Sequence, residues 1–262
     1  MNNGKNLTMI SLVTLSPDNF LKRYLIRKTW SNSVLFKSTR SVFLLGLSLN
    51  ETINNMVMQE SKNYGDIIQE DFIDTYYNLT IKTIMGLKWV SKYCSNSQFT
   101  LKIDDDAVVN TPVLIEYLKN ITYNTSNKNL YMGNYLEKPE VYRNENSKWY
   151  LSYDEYNETY FPPYHTGTAY ILSTDLVREL FEISLSTKVF RFEDVYIGML
   201  VRKIKVDIVN LASFIEFDFD WFLSGTSKDC SKKIFYYAYD SYDFLAIWKK
   251  LRSEDFFDNL LI

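Results

Sequence analysis

The sequence predicts an α/β fold, a single domain built around a mostly parallel central sheet with helices on both faces. Three observations predict it. Through the first half of the chain, short apolar runs alternate with stretches of helical periodicity. Those runs are apolar nearly throughout, as expected of strands covered on both faces. Apolar residues make up 46% of the 262 and aromatic residues 16%, ample for one sizeable core.

Each element has its own signature. "MISLVTLS" (Met9 to Ser16) reads as a buried strand, and "PDNFLKRYLIRKTW" as a helix opened by Pro17 and Asp18. "SVFLLGLS" (Ser41 to Ser48) is a second buried strand, followed by a polar helical stretch from Glu51 to about Asn63. "DIIQEDF" is a short third strand. "YYNLTIKTIMGLKWVSKYC" (Tyr76 to Cys94) has a broad apolar surface at helical spacing, and "FTLKI" is a fourth strand. A helix starts near Pro112. Beyond it the texture changes: "NLYMGNYLEKP" and "SKWYLSYDEYNETYFPPYHTGTAYILS" are Tyr-rich and read as strand-like, interrupted by Pro162, Pro163 and Gly167. "STDLVRELFEIS" is a helix with Ser173 as its cap and Leu176, Leu180 and Ile183 on one face. "FEDVYIGMLVRKIKV" opens a further helix on Glu193 and Asp194. No internal repeat, low-complexity linker or clear domain boundary is visible.

Composition excludes several classes of function. A net charge of -3 offers no basic surplus to meet phosphates, so nucleic acid is not an expected partner. Two cysteines, Cys94 and Cys230, build no disulfide framework, and His165, the sole histidine, excludes a His-based zinc site. Six Asn-x-Ser/Thr sequons occur, at Asn6, Asn50, Asn78, Asn120, Asn124 and Asn157. Chance alone supplies roughly three or four in so Asn-rich a chain, so they only hint at a secretory route. No stretch of about 18 apolar residues is present and no signal peptide precedes "MNNGKNLTMI", so a membrane anchor is expected outside these residues.

The chemistry concentrates in "FTLKIDDDAVVN". Asp104, Asp105 and Asp106 follow the fourth strand directly and repel one another, with Lys102 as their only near cation in sequence. Such a cluster is either a solvated acidic turn or a site neutralised by something bound, and a hard cation is the usual neutraliser. In open α/β sheets ligands bind beyond the carboxyl ends of strands, where this triplet lies. An EF-hand reading fails because Val109 stands where that loop requires glycine.

Taken in order, five motifs resemble those of the beta-1,3-galactosyltransferase family, which includes related N-acetylglucosaminyltransferases. They are "RKTW" (Arg27 to Trp30), "DFIDTYYNLTIKT" (Asp71 to Thr83), "KIDDDAVVN", "FPPYHTGTAYILS" and "EDVYIG". The resemblance runs from about Asn6 to Arg252. It implies a GT-A glycosyltransferase fold, with a nucleotide-sugar half over about residues 6–110 and an acceptor half over about 111–252. It also implies a UDP-sugar donor, inversion at the anomeric carbon, a glycan acceptor on glycoprotein or glycolipid, and a manganese-like divalent ion. The expected reaction moves galactose from UDP-galactose to a 3-hydroxyl, with UDP-N-acetylglucosamine as the alternative donor. A catalytically silent sugar-nucleotide or glycan binder is the alternative of a different class. The expected residence is the Golgi lumen, as part of a single-pass type II membrane protein.

The motifs suggest roles for individual residues. Asp106 is the first choice as metal ligand, with Asp104 and Asp105 near the ribose and the ion. Asp194 is the expected base for the acceptor hydroxyl, with Glu193 second; helix capping is the plainer alternative for that pair. On the donor side, Arg27 is a candidate for diphosphate or nucleotide, against an ordinary surface ion pair. Asp71 is a candidate for uracil or ribose, against a strand-end turn, and Lys82 for the donor, against a solvated helix face. Gly167 and Thr168 are expected in a tight loop near the sugar. Trp149 and Tyr164 are candidates to stack on the acceptor, against core packing. Asn78, inside a helical block, is expected to be structural rather than glycosylated.

This chain departs from the family pattern at three places. His165 stands where members often carry Cys after Pro-Pro-Tyr, and Leu200 stands at another frequent Cys position. Cys94 is thus left without its usual partner, and pairing with Cys230 stays open; His165 is expected to pack or lie at the surface. In the family's tail a His eleven residues before the Trp of an Ile-Trp pair helps ligate the ion. Counting back from Trp248 gives Tyr237, with Asp240 and Asp243 as possible substitutes.

Overall fold

The computed structural model describes residues 3–124, 128–204, 206–224 and 233–252. Its first half follows the expected alternation: β1 (Met9–Thr14), α1 (Phe20–Lys28), β2 (Thr39–Leu47), α2 (Glu51–Tyr64), β3 (Ile67–Ile73), α3 (Leu79–Tyr93) and β4 (Phe99–Asp104). Then come β5 (Ala107–Val109), α4 (Thr111–Asn124), β6 (Leu130–Leu136), β7 (Tyr164–Ser173), α5 (Thr174–Ser184) and α6 (Glu193–Val201). The chain continues with β8 (Asp207–Asn210), β9 (Ile215–Glu216), α7 (Phe219–Ser224), β10 (Phe235–Tyr237) and α8 (Ser241–Arg252).

Seven strands form one sheet in the order β3-β2-β1-β4-β7-β6-β8. The pairs β1/β2, β1/β4, β2/β3 and β6/β8 are parallel, but β7 runs antiparallel to both β4 and β6. The sheet is therefore α/β and mixed. Alternate residues of each central strand go to opposite faces, as the pleat requires. Met9 and Val13 of β1 join Phe43 and Leu45 of β2 in one core, together with apolar residues of α1, α4 and α8. Ile10 and Leu12 join Val42 and Leu44 in the other, under α3, α5 and α6. α6 is apolar nearly all round and correspondingly buried.

Two local expectations are corrected. The first Tyr-rich stretch supplies β6, but of the second only Tyr164–Ser173 is a strand; residues 137–163 form a long connection with a single bridge between Glu140 and Tyr160. Pro162 and Pro163 have no N–H to give a ladder, and Arg143 instead gathers the loop by donating to the carbonyls of Leu151, Ser152, Tyr156 and Glu158. Ser173 occupies the cap position of α5, yet its hydroxyl accepts from the Leu130 N–H and caps nothing. Elsewhere the sequence logic holds. Asn50 caps α2 by accepting from the Thr52 N–H, and Gly65 ends it at φ 65°. Asn78 is structural, donating to the Ile73 carbonyl.

A second sheet, β5-β10-β9, ties the tail of the chain to the Asp triplet. Tyr237 pairs with Ala107, and the Ala238 N–H donates to the Asp106 carbonyl at 2.7 Å.

Candidate active site

β1 and β4 are neighbours, with β2 on one flank and β7 on the other, so their carboxyl ends open a crevice at a switch in strand order. Thr14 sits opposite Asp104 there and its hydroxyl donates to Asp104 Oδ1 at 2.5 Å. Lys102, two residues back on the same face of β4, donates to the same oxygen at 2.6 Å. Asp105 accepts from the Asn19 amide at 2.5 Å. Burial first, then its acidic neighbour, raises the Asp105 carboxyl above its ordinary range. Asp106 is pushed up to about 6 by burial and by the charges of Asp104 and Asp105. One of its oxygens, Oδ1, is buried without a hydrogen-bond partner.

Asp194 lies in the first turn of α6. Its Oδ1 accepts from the Val195 N–H at 2.9 Å and its Oδ2 from the Gly167 N–H at 3.1 Å. Burial raises its proton affinity too. Glu193 is 3% exposed and turned inward, taking the Tyr170 hydroxyl at 2.5 Å and facing Lys102 at 3.5 Å. A cavity of about 540 Å3 brings Asp104, Asp106, Gly167, Thr168 and Asp194 together with Trp149 and Tyr164. Trp149 and Tyr142 form a tilted ring pair at 5.4 Å on its rim. A smaller cavity of about 290 Å3 adjoins at Asp104 and Asp106 and is lined by Thr14, Asp74, Lys82 and Asp105.

Not every candidate joins this cleft. Arg27 lines a separate cavity with Arg40 and Tyr64; its guanidinium pairs with Asp66 at 2.8 Å and Glu60 at 2.5 Å. It makes ion pairs, as the alternative has it, but largely buried ones rather than pairs at the surface. Asp71 is exposed on the edge strand β3, and Asp74, three residues on, reaches the smaller cavity instead. Lys82 is buried rather than solvated, donating to Asp74 at 2.8 Å and to the Leu15 carbonyl at 2.7 Å. His165 is buried, hydrogen-bonded to the Tyr131 carbonyl at 3.0 Å, and burial lowers it to about 4. Asp240 and Asp243 accept backbone N–H groups around the start of α8. Cys94 is fully buried and Cys230 lies outside the described residues.

Sequence reasoning missed Thr14, Asp74, Arg191, which also lines the larger cavity, and the full role of Lys102. For Lys102 the signal was present: residues i and i+2 of a strand share a face.

Whether these residues fit a divalent ion can be judged from the donors. Hard carboxylate oxygens, one of them orphaned, converge with repulsive charge that a cation would relieve. Among the described residues no group of three His, Cys, Asp or Glu side chains would hold an ion alone. Asp104 and Asp106 therefore fit an ion shared with a ligand's phosphate oxygens. Tyr237 faces Asp106 closely enough that each alters the other's protonation, and its phenol is no imidazole substitute.

Comparison with known proteins matches residues 21–212 to the galactosyltransferase family model. Beta-1,3-galactosyltransferase 2 of Mus musculus is 36% identical over 254 residues, 95% of this chain and 59% of that protein. Beta-1,3-galactosyltransferase 1 of Mus musculus is 38% identical over 200 residues, 76% of this chain and 61% of that protein. The chain thus spans about three-fifths of the length of these relatives. Among solved structures, galactosyltransferase LgtC with donor and acceptor sugar analogs overlays at a TM-score of 0.45 and 12% identity, covering 96% of this chain and 95% of that one.

Proposed function

The chain belongs to the galactosyltransferase family, and from that premise we propose that it is an inverting hexosyltransferase. In this reading it moves galactose from UDP-galactose to a 3-hydroxyl of a glycan acceptor. The observation that carries it is that one cleft is lined by Asp104, Asp106 and Asp194 together. Asp194 takes the proton from the acceptor hydroxyl as that oxygen attacks the anomeric carbon. The bond from that carbon to the UDP oxygen breaks on the opposite face, so one displacement inverts the centre. Burial suits Asp194 to the task, because it raises the carboxylate's appetite for a proton. The Gly167 N–H holds one of its oxygens in place. Glu193, buried against Tyr170, is anchor rather than base.

A divalent ion, manganese in this proposal, would be held by Asp104 and Asp106 and would offset charge on the departing diphosphate. Asp74 and Lys82 line the donor side with Asp105, while Trp149 and Tyr164 offer aromatic faces to the acceptor. Golgi residence and membrane attachment through a segment outside this chain complete the proposal; no described helix is long and apolar enough to cross a membrane.

The test is UDP release across a panel of sugar nucleotides, with and without manganese and acceptor. Acceptor-dependent release from UDP-galactose is expected, with a beta-1,3 product; acceptor-dependent release from UDP-N-acetylglucosamine alone would replace the donor. One observation favours a second reading, a silent binder: Tyr237 stands against Asp106 where the family pattern expects a ligating His. If wild type binds UDP but transfers nothing, Tyr237→His should raise manganese affinity in calorimetry. No gain would remove the tail residue as the cause.

A further inference from the structure

Lys102 is 1% exposed and lies directly behind the acids of the cleft. Its ammonium donates to Asp104 Oδ1 at 2.6 Å and to the Gly167 carbonyl at 2.6 Å, and it faces Glu193 Oε2 at 3.5 Å. Two ammonium hydrogens thus go to oxygens of β4 and β7, and the charge faces a carboxylate oxygen of α6 that makes no hydrogen bond of its own. Burying such a group is a poor route to stability, since apolar residues of similar volume often do as well or better. The geometry supplies another reason for its presence.

Gly167 is held on both sides. Its carbonyl accepts from Lys102 while its N–H donates to Asp194 Oδ2 at 3.1 Å. A Cβ added at Gly167 would stand 3.4 Å from that same oxygen, so the peptide unit lies close against the carboxylate. On its other side Lys102 shares Asp104 Oδ1 with the Thr14 hydroxyl. One ammonium therefore connects the carboxylate of the cation side to the carboxylate of the base side through a single peptide.

We propose that Lys102 is a positioning residue that sets Asp104 for the diphosphate and ion and, through the Gly167 peptide, sets Asp194 for the acceptor proton. This rests on reading the cleft as a nucleotide-sugar site. Lys102 itself touches none of the reacting atoms. Without it, Asp104 keeps Thr14 as its anchor, Gly167 loses the bond to its carbonyl, and Glu193 keeps Tyr170 with no cation beside it.

The experiment compares wild type with Lys102→Met by calorimetry of UDP with and without manganese, and by kcat and KM for transfer, all well below the melting transition. Manganese-dependent UDP affinity should fall about tenfold or more, the usual size of an effect on an ion through its ligand's support. Affinity without manganese should stay within about threefold, and kcat should fall by more than KM changes. A lysine that merely held the fold would move the melting temperature and leave the manganese-dependent gain at its wild-type size; that result would overturn the proposal. If Lys102→Met does not fold, the Lys102→Met/Glu193→Gln double variant, which also removes the fully buried carboxylate left facing no cation, carries the same measurement. Failure of both to fold would make Lys102 a folding residue and overturn it equally. A wild type that binds UDP with manganese but transfers no sugar would sink the proposed reaction, while the UDP affinities would still decide the role of Lys102.

Discussion

At the scale of residues, the acids of the cleft oppose stability, which is how a binding site differs from a surface turn. Asp106 combines an orphaned oxygen with a carboxyl pushed up to about 6 by burial and by the charges of Asp104 and Asp105. Asp106→Asn should therefore leave the melting temperature unchanged or raised at pH 7, while abolishing the manganese-dependent part of UDP binding. Equal binding in the variant, by calorimetry, would end the ligand role of Asp106. His165 makes the opposite case, a titratable group used only for packing. Its folded pKa of about 4 lies below the ordinary 6.5, so the unfolded chain binds the proton more readily. Its contribution is fully present above pH 6.5 and is lost as pH falls toward 4, up to about 3 kcal/mol. Denaturant unfolding of wild type and His165→Gln should diverge across that window, with the variant's pH dependence the shallower. Parallel curves would mean that the folded chain binds a proton at His165 as readily as the unfolded chain does.

At the scale of elements, legibility followed periodicity. The strands from Met9 and Phe99, the helices from Glu51 and Glu193, and the carboxylates at their ends were readable because apolar spacing and terminal residues act locally. What could not be read depends on partners distant in the chain. Nothing near Ser173 announces that its hydroxyl serves Leu130 rather than its own helix. Nothing in the tyrosines of residues 147–163 announces that Arg143 holds them as a loop. Asp71 and Asp74 are equivalent by composition, and only the position of edge strand β3 separates the exposed one from the one at the cleft. Arg143 also gives this scale its prediction. It donates four hydrogen bonds to carbonyls on both sides of the turn following Trp149, and Arg143→Lys cannot span them with one ammonium. The acceptor KM should rise about tenfold while UDP affinity stays within about twofold. A matching loss of UDP affinity would show that the loop supports the whole cleft rather than its acceptor rim.

At the scale of the whole molecule, the mixed sheet does one thing for function: it brings β4 and β7 side by side and sets the start of α6 over their ends. Asp104 and Asp194, ninety residues apart in sequence, come to share one cleft by that route. The proposed transfer needs Asp194 to act as a base there rather than as a cap for α6, and one variant separates the two. Asp194→Asn, assayed for UDP-galactose affinity and for transfer in parallel, should keep donor affinity within about threefold and lose transfer by about a hundredfold or more. Transfer that survives within a few-fold, with a stability change of about 1 kcal/mol or less as Asn-for-Asp capping allows, would contradict it.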